Sequence, residues 1–288
     1  MKKYFSVVFL TLCSIIYAQI PNDLKFETNF VDAENHWVVV PTKTEKDINF
    51  AYGFLYFDES GGGYSLQEVN EFTFTDGKFV KAASKANEMN IVRLGNPNIK
   101  FALLSDSRIK ELQLVKMPAF VKHYNSLRDD NEKKVLRASA INALNRSDLA
   151  LPILEGVKAR DYSSQKLFFE MAYAYNALKN YSNAEVIINE VEKKGYLDEL
   201  LIKEKIYALS HNSKLEEADR FLLKNISEFK SSLYKEESIG NMVGNYYNSK
   251  NIPKVKEWLS VYYKHFPEGG RYKNDMGKLK VEIDKTLP

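Results

Sequence analysis

Side chains that could bind a metal or act as nucleophiles are scattered along this 288-residue chain. Four histidines occur without a second histidine or a carboxylate at the spacing of metal ligands. They are His36, His123, His211 and His265. The single cysteine, Cys13, lies in an apolar N-terminal stretch. We therefore expect no metal site, no cofactor and no thiol chemistry.

Other catalytic patterns are missing as well. The run Gly61–Gly63 lacks the lysine and the hydroxyl residue that follow a phosphate-binding glycine loop, and a hairpin explains it better. The acidic pairs Asp129–Asp130 and Glu236–Glu237 stand at predicted helix starts, where carboxylates favour the positive end of the helix dipole. These patterns predict a protein that is not an enzyme. A catalytic site assembled from distant residues of the first half remains an alternative.

The elements that would position any site differ between the two halves of the chain. Residues 19–104 carry the pattern of a small, mainly antiparallel β domain. Aromatic and β-branched residues recur at every second position, as in a strand with one buried face, at Ile48, Phe50, Tyr52, Phe54 and Tyr56. Asp76-Gly77 predicts a hairpin turn, because both of its residues tolerate positive φ. Other strands are predicted at Trp37–Val40, Asn90–Leu94 and Ile99–Leu104.

Residues 105–130 are predicted to form a helical connector. Ser105-Asp106 can begin one helix, and Pro118 can open a second. Beyond Asp130, apolar residues recur at steps of three and four to the C-terminus, which is typical of helices. The predicted fold class is therefore α+β with two domains, a β domain followed by an all-α helical solenoid.

Residue types in the helical half recur at a nearly constant interval along the sequence. We call the number of residues from Ala150 to Ala184 the repeat step. Small residues recur at Ala150, Ala184, Ala218 and Val255, with large ones four positions later at Leu154, Ile188, Leu222 and Leu259. Nine positions before the small residues stand Ile141, Tyr175, Leu209 and Tyr246. Two antiparallel helices of about a dozen residues with short turns occupy this length, and stacked pairs bury faces that one pair leaves open.

This spacing resembles the tetratricopeptide repeat (TPR) pattern. In the second unit the resemblance runs through Phe168, Met171-Ala172, Tyr175, Tyr181, Ala184 and Ile188. It implies four degenerate units over residues 131–269 and a capping helix over 270–288. Arg137 and Lys205 depart from the pattern, because they stand where it has apolar residues. A series of unrelated helix hairpins is the alternative.

The resemblance also implies a binding surface. In TPR proteins, the first helix of each pair lines a concave groove that holds an extended peptide or a helix. The corresponding positions are Phe169, Tyr173 and Asn176 in unit two, Lys203, Tyr207 and His211 in unit three, and Tyr247 and Asn248 in unit four. This set suits a neutral or mixed ligand, unless some of the tyrosines pack between units instead.

The N-terminus predicts export. Lys2 and Lys3 precede the uncharged run Tyr4–Tyr17, and Ala18 offers a small residue for cleavage, so residues 1–18 are predicted to be a signal peptide. An uncleaved anchor is the alternative, although this run is shorter than the ~20 residues that span a bilayer. Cys13 follows Leu12 rather than a small residue, which disfavours lipid attachment.

Charge narrows the choice of partner. Removing Lys2 and Lys3 reduces 41 basic residues to 39, against 38 acidic ones, so the sequence predicts neither nucleic-acid binding nor a polybasic membrane patch. We expect a periplasmic or outer-membrane-associated protein of a Gram-negative-like cell, without a transmembrane span in its mature chain. It would bind a protein or peptide of the cell envelope. The alternative is a glycan- or nutrient-capture module in which Trp37, Tyr52 and Tyr56 stack on sugar rings.

Overall fold

The computed structural model describes residues 21–40, 49–82, 90–124 and 130–285, and the predicted signal peptide, residues 1–18, lies outside these ranges. The chain divides into two compact units, one ending at residue 126 and the other beginning at residue 127. The first contains an antiparallel sheet and the second contains helices, which confirms the α+β two-domain fold class. No helix in the described part of the chain combines the length and apolarity needed to cross a membrane.

The first unit is built on one antiparallel sheet with seven described strands. They are β1 Thr28–Asn29, β2 His36–Val40, β3 Asn49–Asp58, β4 Gly63–Thr75, β5 Lys78–Lys81, β6 Asn90–Leu94 and β7 Lys100–Leu103. Their order is β1-β7-β2-β3-β4-β5, and β6 also pairs with β4. The 13 residues of β4 pair with β3 along one edge, and with β6 and then β5 along the other.

Two predicted hairpins are present in this sheet. Asp76 and Gly77 both have positive φ, 50° and 78°, and join β4 to β5. Gly61–Gly63 leads from β3 into β4, where Asp58 Oδ1 accepts hydrogen bonds from the backbone N–H groups of Ser60 and Gly61. A Cβ at Gly61 would lie 1.8 Å from Arg93 Nη2. The glycine run therefore closes a turn beneath an arginine side chain.

The period-two aromatic residues of β3 face the core of this unit. Phe50, Tyr52, Phe54 and Tyr56 belong to one buried cluster, which also includes residues from the two short helices α1 Asp106–Glu111 and α2 Val121–Tyr124 and their flanks. Trp37 Nε1 donates a 2.8 Å hydrogen bond to the Val115 carbonyl oxygen. The predicted connector thus packs onto the sheet as far as Tyr124.

The second unit consists of helices that pair in sequence order. They are α3 Asn131–Ala143, α4 Ser147–Lys158, α5 Gln165–Ala177, α6 Tyr181–Lys193, α7 Glu199–His211, α8 Leu215–Asn225, α9 Ser232–Asn248, α10 Ile252–His265 and α11 Lys273–Lys285, with a short 3₁₀ turn at Ile226–Glu228. α3 packs on α4, α5 on α6, α7 on α8 and α9 on α10. The first helices of successive pairs also contact one another, from α3 through α5 and α7 to α9, and α11 packs on α10.

The turn inside each helix pair has the same backbone geometry four times. Two positions after each first helix ends stands a residue with left-handed φ between 58° and 61°, at Asn145, Lys179, Ser213 and Lys250. The following N–H donates to a carbonyl five residues earlier, in the pairs Arg146 to Ile141, Asn180 to Tyr175, Lys214 to Leu209 and Asn251 to Tyr246. The repeated hydrogen bond advances along the chain by the repeat step twice, and then by a step that is three residues longer.

The larger last step reflects a longer helix. α9 has 17 residues, whereas α5 and α7 have 13 each. Ala150, Ala184, Ala218 and Val255, the small residues of the second helices, have no exposed surface. These positions therefore lie in the core of all four helix pairs.

Candidate functional site

The central groove is a cavity of about 390 Å³ lined by the first helices of three successive pairs. Its lining residues are Tyr173, Asn176 and Ala177 of α5, Lys203, Glu204 and Tyr207 of α7, and Glu237 and Asn241 of α9. Tyr173, Tyr207 and Asn241 follow one another at the repeat step, so corresponding positions of the three helices face the same space. The repeat thus places side chains from distant parts of the sequence side by side.

Six of the eight residues singled out in the sequence lie in or beside the central groove. Tyr173, Asn176, Lys203 and Tyr207 line it. The ring of Phe169 lies 6.4 Å from that of Tyr173, and the ring of His211 stacks on Tyr207 at 4.1 Å.

Tyr247 and Asn248 do not line the groove. The hydroxyl of Tyr247 instead donates a 2.7 Å hydrogen bond to Glu282 Oε1 on α11. The prediction of Tyr247 and Asn248 counted from unit three with a step longer than the repeat step. That longer step is correct only at the turn that follows α9. Near its start, α9 keeps the ordinary repeat step, because the additional turn of helix follows later.

Three polar lining residues, Glu204, Glu237 and Asn241, were absent from the expected set. Glu237 and Asn241 follow Lys203 and Tyr207 by one repeat step, so strict use of that step would have found them. Glu204 had no such signal, since a charged residue on a helix is normally assigned to solvent. Its side chain is nevertheless only 9% exposed.

A buried amide–carboxylate contact joins the first helices of neighbouring pairs. Asn176 Nδ2 donates to the backbone oxygen of Glu204 at 3.0 Å and to its Oε2 at 2.8 Å. One repeat earlier, Asn142 Nδ2 makes the same two contacts with Glu170, at 3.1 and 2.9 Å. These bonds satisfy polar groups that are costly to bury alone, and they fix the floor of the groove.

Charge in the groove is unevenly distributed. Burial raises the pKa of Glu204, and the nearby carboxylates Glu237 and Glu170 act in the same direction against the Asn176 hydrogen bond and Lys203. Lys203 Nζ forms a 3.0 Å ion pair with Glu237 Oε1. The groove lining therefore contains one cation and two carboxyl groups, and Glu170 acts on Glu204 from outside the lining.

Aromatic rings extend this surface beyond the cavity. Tyr181 contacts both Tyr207 and His211, with ring centroids 6.2 and 5.2 Å apart. Tyr207 is 41% exposed. Burial raises the pKa of the Tyr207 hydroxyl, which therefore stays protonated and able to donate at neutral pH. These aromatic side chains therefore offer a ligand both contact area and hydrogen-bonding groups.

The aromatic residues considered for sugar stacking are internal. Trp37 is 4% exposed, and Tyr52 and Tyr56 have no exposed surface. Their rings pack against other aromatic rings, Trp37 against Tyr52 at 6.0 Å among them. A sugar ring has no access to these faces, so the proposed stacking role of the three residues is wrong.

A larger open cavity of about 600 Å³ lies between α10 and α11. Lys256, Lys264 and Lys280 are among its eight lining residues, all of which the structure describes. None of the eight has a buried side-chain polar atom without a hydrogen-bond partner. Within the described ranges, no three His, Cys, Asp or Glu side chains form a group that could hold a metal ion. The central groove is the better candidate for a binding site.

The comparison with known proteins returned no relative: no family model and no curated protein matches this chain.

Proposed function

We propose that the helical unit is a TPR-like scaffold that binds a peptide or protein partner through the central groove. The observation that carries this proposal is the groove itself, which corresponding positions of α5, α7 and α9 line with tyrosine, asparagine and charged side chains. Tyrosine and asparagine are common in protein-binding surfaces, because they offer contact area and adaptable hydrogen bonding. The protein would bind its partner noncovalently, without making or breaking covalent bonds.

Order in the free protein supports this proposal. The repeated turns and the Asn142–Glu170 and Asn176–Glu204 contacts hold neighbouring helices in register. A surface that is fixed before binding loses less conformational entropy when a ligand arrives. The groove would therefore act as a preformed binding site.

We further propose that the protein is exported and that its partner belongs to the cell envelope. The basic start, apolar run and small residue within residues 1–18 support export. A nearly balanced charge along the remaining chain favours a protein partner over nucleic acid.

Replacement of both groove tyrosines tests the proposed function. We expect Tyr173→Ala with Tyr207→Ala to reduce partner capture at least tenfold, because two contact residues at the centre of an interface commonly contribute more than about 1 kcal/mol each. Immobilised wild-type and variant chains are compared for capture from an envelope fraction by quantitative mass spectrometry, with circular dichroism as the test of folding.

The matched control replaces two tyrosines outside the lining, Tyr162→Ala with Tyr196→Ala. It should capture the same proteins as the wild type. Equal yields from the groove variant and the wild type would exclude the groove as the binding site.

A further inference from the structure

We infer that the central groove recognises a positively charged side chain of its partner, an arginine guanidinium above all. This inference rests on the proposed function and adds the chemistry of the ligand. Three independent features of the groove favour a cation: excess negative charge, a buried acceptor without a donor, and two tyrosine rings.

The negative charge is greater than the protein itself neutralises. Glu204 is influenced by both Glu237 and Glu170, whereas Lys203 is the only cation that acts on it among the principal contributors. Lys203 is already paired with Glu237. The groove lining thus holds two carboxyl groups, Glu204 and Glu237, against the single positive charge of Lys203. A bound cation would offset the cost of keeping Glu204 largely out of water.

The unpartnered acceptor is Asn176 Oδ1. The Asn176 side chain is only 4% exposed, and its Oδ1 has no hydrogen-bond partner among the described residues. The orientation of the amide is fixed chemically, because Nδ2 lies within hydrogen-bond distance of two oxygens of Glu204. Because Oδ1 is itself buried in the free protein, a ligand N–H group would complete its hydrogen bonding after a local side-chain movement.

In the preceding repeat, the corresponding amide oxygen has a hydrogen-bond donor. There, Asn142 Oδ1 accepts a 2.9 Å hydrogen bond from Ser147 Oγ. One repeat step after Ser147 stands Tyr181, whose ring contacts Tyr207 and His211 instead. The unpartnered oxygen is thus a difference between two otherwise equivalent contacts, and it belongs to a residue that lines the cavity.

The rings and the size of the cavity agree with an organic cation. Tyr173 and Tyr207 line the groove from neighbouring helices, and the negative face of a tyrosine ring attracts a cation. A guanidinium has five N–H donors in a planar fork, which suits carboxylate and amide oxygens together. A metal ion fits less well, because the described carboxylates do not gather into a metal-binding group. The ligand is therefore a basic side chain.

Three labelled peptides test this inference on the full chain. The probe is a fluorescein-labelled heptapeptide of alternating alanine and leucine with one central arginine. The controls carry citrulline, which has nearly the same shape without the charge, or glutamate at that position. We expect the arginine peptide to bind at least tenfold more tightly than the citrulline peptide in fluorescence polarisation. The glutamate peptide should bind most weakly.

Two variants locate the effect. Glu204→Gln with Glu237→Gln should reduce the advantage of arginine over citrulline to less than threefold, because both changes remove charge with little change in shape. Glu217→Gln is the matched control, since it removes one carboxylate from α8 outside the groove lining. It should leave the advantage unchanged.

The outcomes separate this inference from the proposed function. Equal affinity for the arginine and citrulline peptides, or an advantage that survives the double substitution, would overturn the choice of a cation and leave the groove as a binding site. Failure of all three peptides to bind would also overturn it. Partner capture by the Tyr173 and Tyr207 variant would then decide the proposed function separately.

Discussion

At the scale of single residues, Glu204 connects stability with recognition. Its carboxylate is buried beside two other carboxylates, and it accepts a hydrogen bond from a neutral amide. Burial, with a smaller effect of the two carboxylates, destabilises the ionised form and raises the pKa of Glu204, although the amide hydrogen bond acts in the opposite direction. A binding site commonly contains groups of this kind, because the ligand supplies the compensating charge.

The pH dependence of stability should reveal this carboxyl group. A carboxyl whose folded-state pKa is raised gives its full stability below the unfolded pKa, near 4.5, and loses stability as pH rises through the folded value. We expect Glu204→Gln to raise the free energy of unfolding at pH 7, because the neutral amide avoids the cost of burying a carboxylate.

Urea unfolding followed by circular dichroism at several pH values measures this difference. The gain should shrink toward zero as the pH falls to about 4. Glu217→Gln, a change at an exposed carboxylate, should alter stability by less than about 0.5 kcal/mol. A gain for Glu204→Gln that is the same at pH 4 and pH 7 would contradict the assignment.

At the scale of the elements, the turns inside the helix pairs keep the repeat in register. Each depends on one residue in the left-handed region, and none of the four is glycine. A side chain there costs about 1–2 kcal/mol relative to ordinary backbone geometry, although asparagine tolerates it best. The two lysines and the serine at these positions are therefore strained residues within a well-formed turn.

Glycine at one of these turns should stabilise the helical unit. We expect Lys179→Gly, at a φ of 61°, to raise the free energy of unfolding by about 0.5–1 kcal/mol, because glycine adopts this conformation without strain. Urea unfolding midpoints provide the measurement. Lys256→Gly, in the interior of α10, should cost about 1 kcal/mol instead. Destabilisation by both substitutions would show that the turn is not held in the left-handed region.

At the scale of the whole molecule, the series of helix pairs needs an end. α11 packs on α10, the second helix of the last pair. Tyr272, which directly precedes α11, is held by Glu236 of α9, the first helix of that pair. Glu236 Oε1 accepts hydrogen bonds from the Tyr262 hydroxyl at 2.7 Å and from the Tyr272 backbone N–H at 2.9 Å. A solenoid unit contacts only its neighbours, so this contact and the Tyr247–Glu282 hydrogen bond together hold the cover of the final face.

Loss of this carboxylate should release the last helix. Burial opposes ionisation of Glu236, but hydrogen bonds from Tyr272 and Tyr262 outweigh it and lower the pKa. Its stabilising effect is therefore present above the unfolded pKa near 4.5 and is lost as pH falls through the folded value. We expect Glu236→Gln to destabilise the α11 attachment by about 1–2 kcal/mol at pH 7.

Hydrogen exchange read by mass spectrometry can follow this effect helix by helix. At pH 7, peptides from α11 should exchange about tenfold faster in Glu236→Gln than in the wild type, whereas those from α5 and α6 should not change. Glu237→Gln removes the neighbouring carboxylate, which pairs with Lys203 instead, and should leave α11 protected. Uniformly faster exchange in every helix would show that Glu236 acts on the whole unit.

The antiparallel sheet of the first unit, the helix pairs of the second unit and most of the repeat could be predicted from residue types and their spacing. Alternation through Phe50, Tyr52 and Phe54 identified a strand, and the repeat step from Ala150 to Ala184 located the helix pairs. Both signals are local or periodic. They depend on which side of a single helix or strand faces the core, and the spacing of its apolar residues indicates that side directly.

The composition of the groove, in contrast, was set only by the packing of the helices. The packing of α5 on α7 buried Glu204, and the extra turn near the end of α9 left Tyr247 and Asn248 outside the lining. These properties arise between helices, where a polar residue is either solvated or buried according to its neighbours. Residue type and spacing do not contain that information, because burial and charge pairing are set only when distant segments meet.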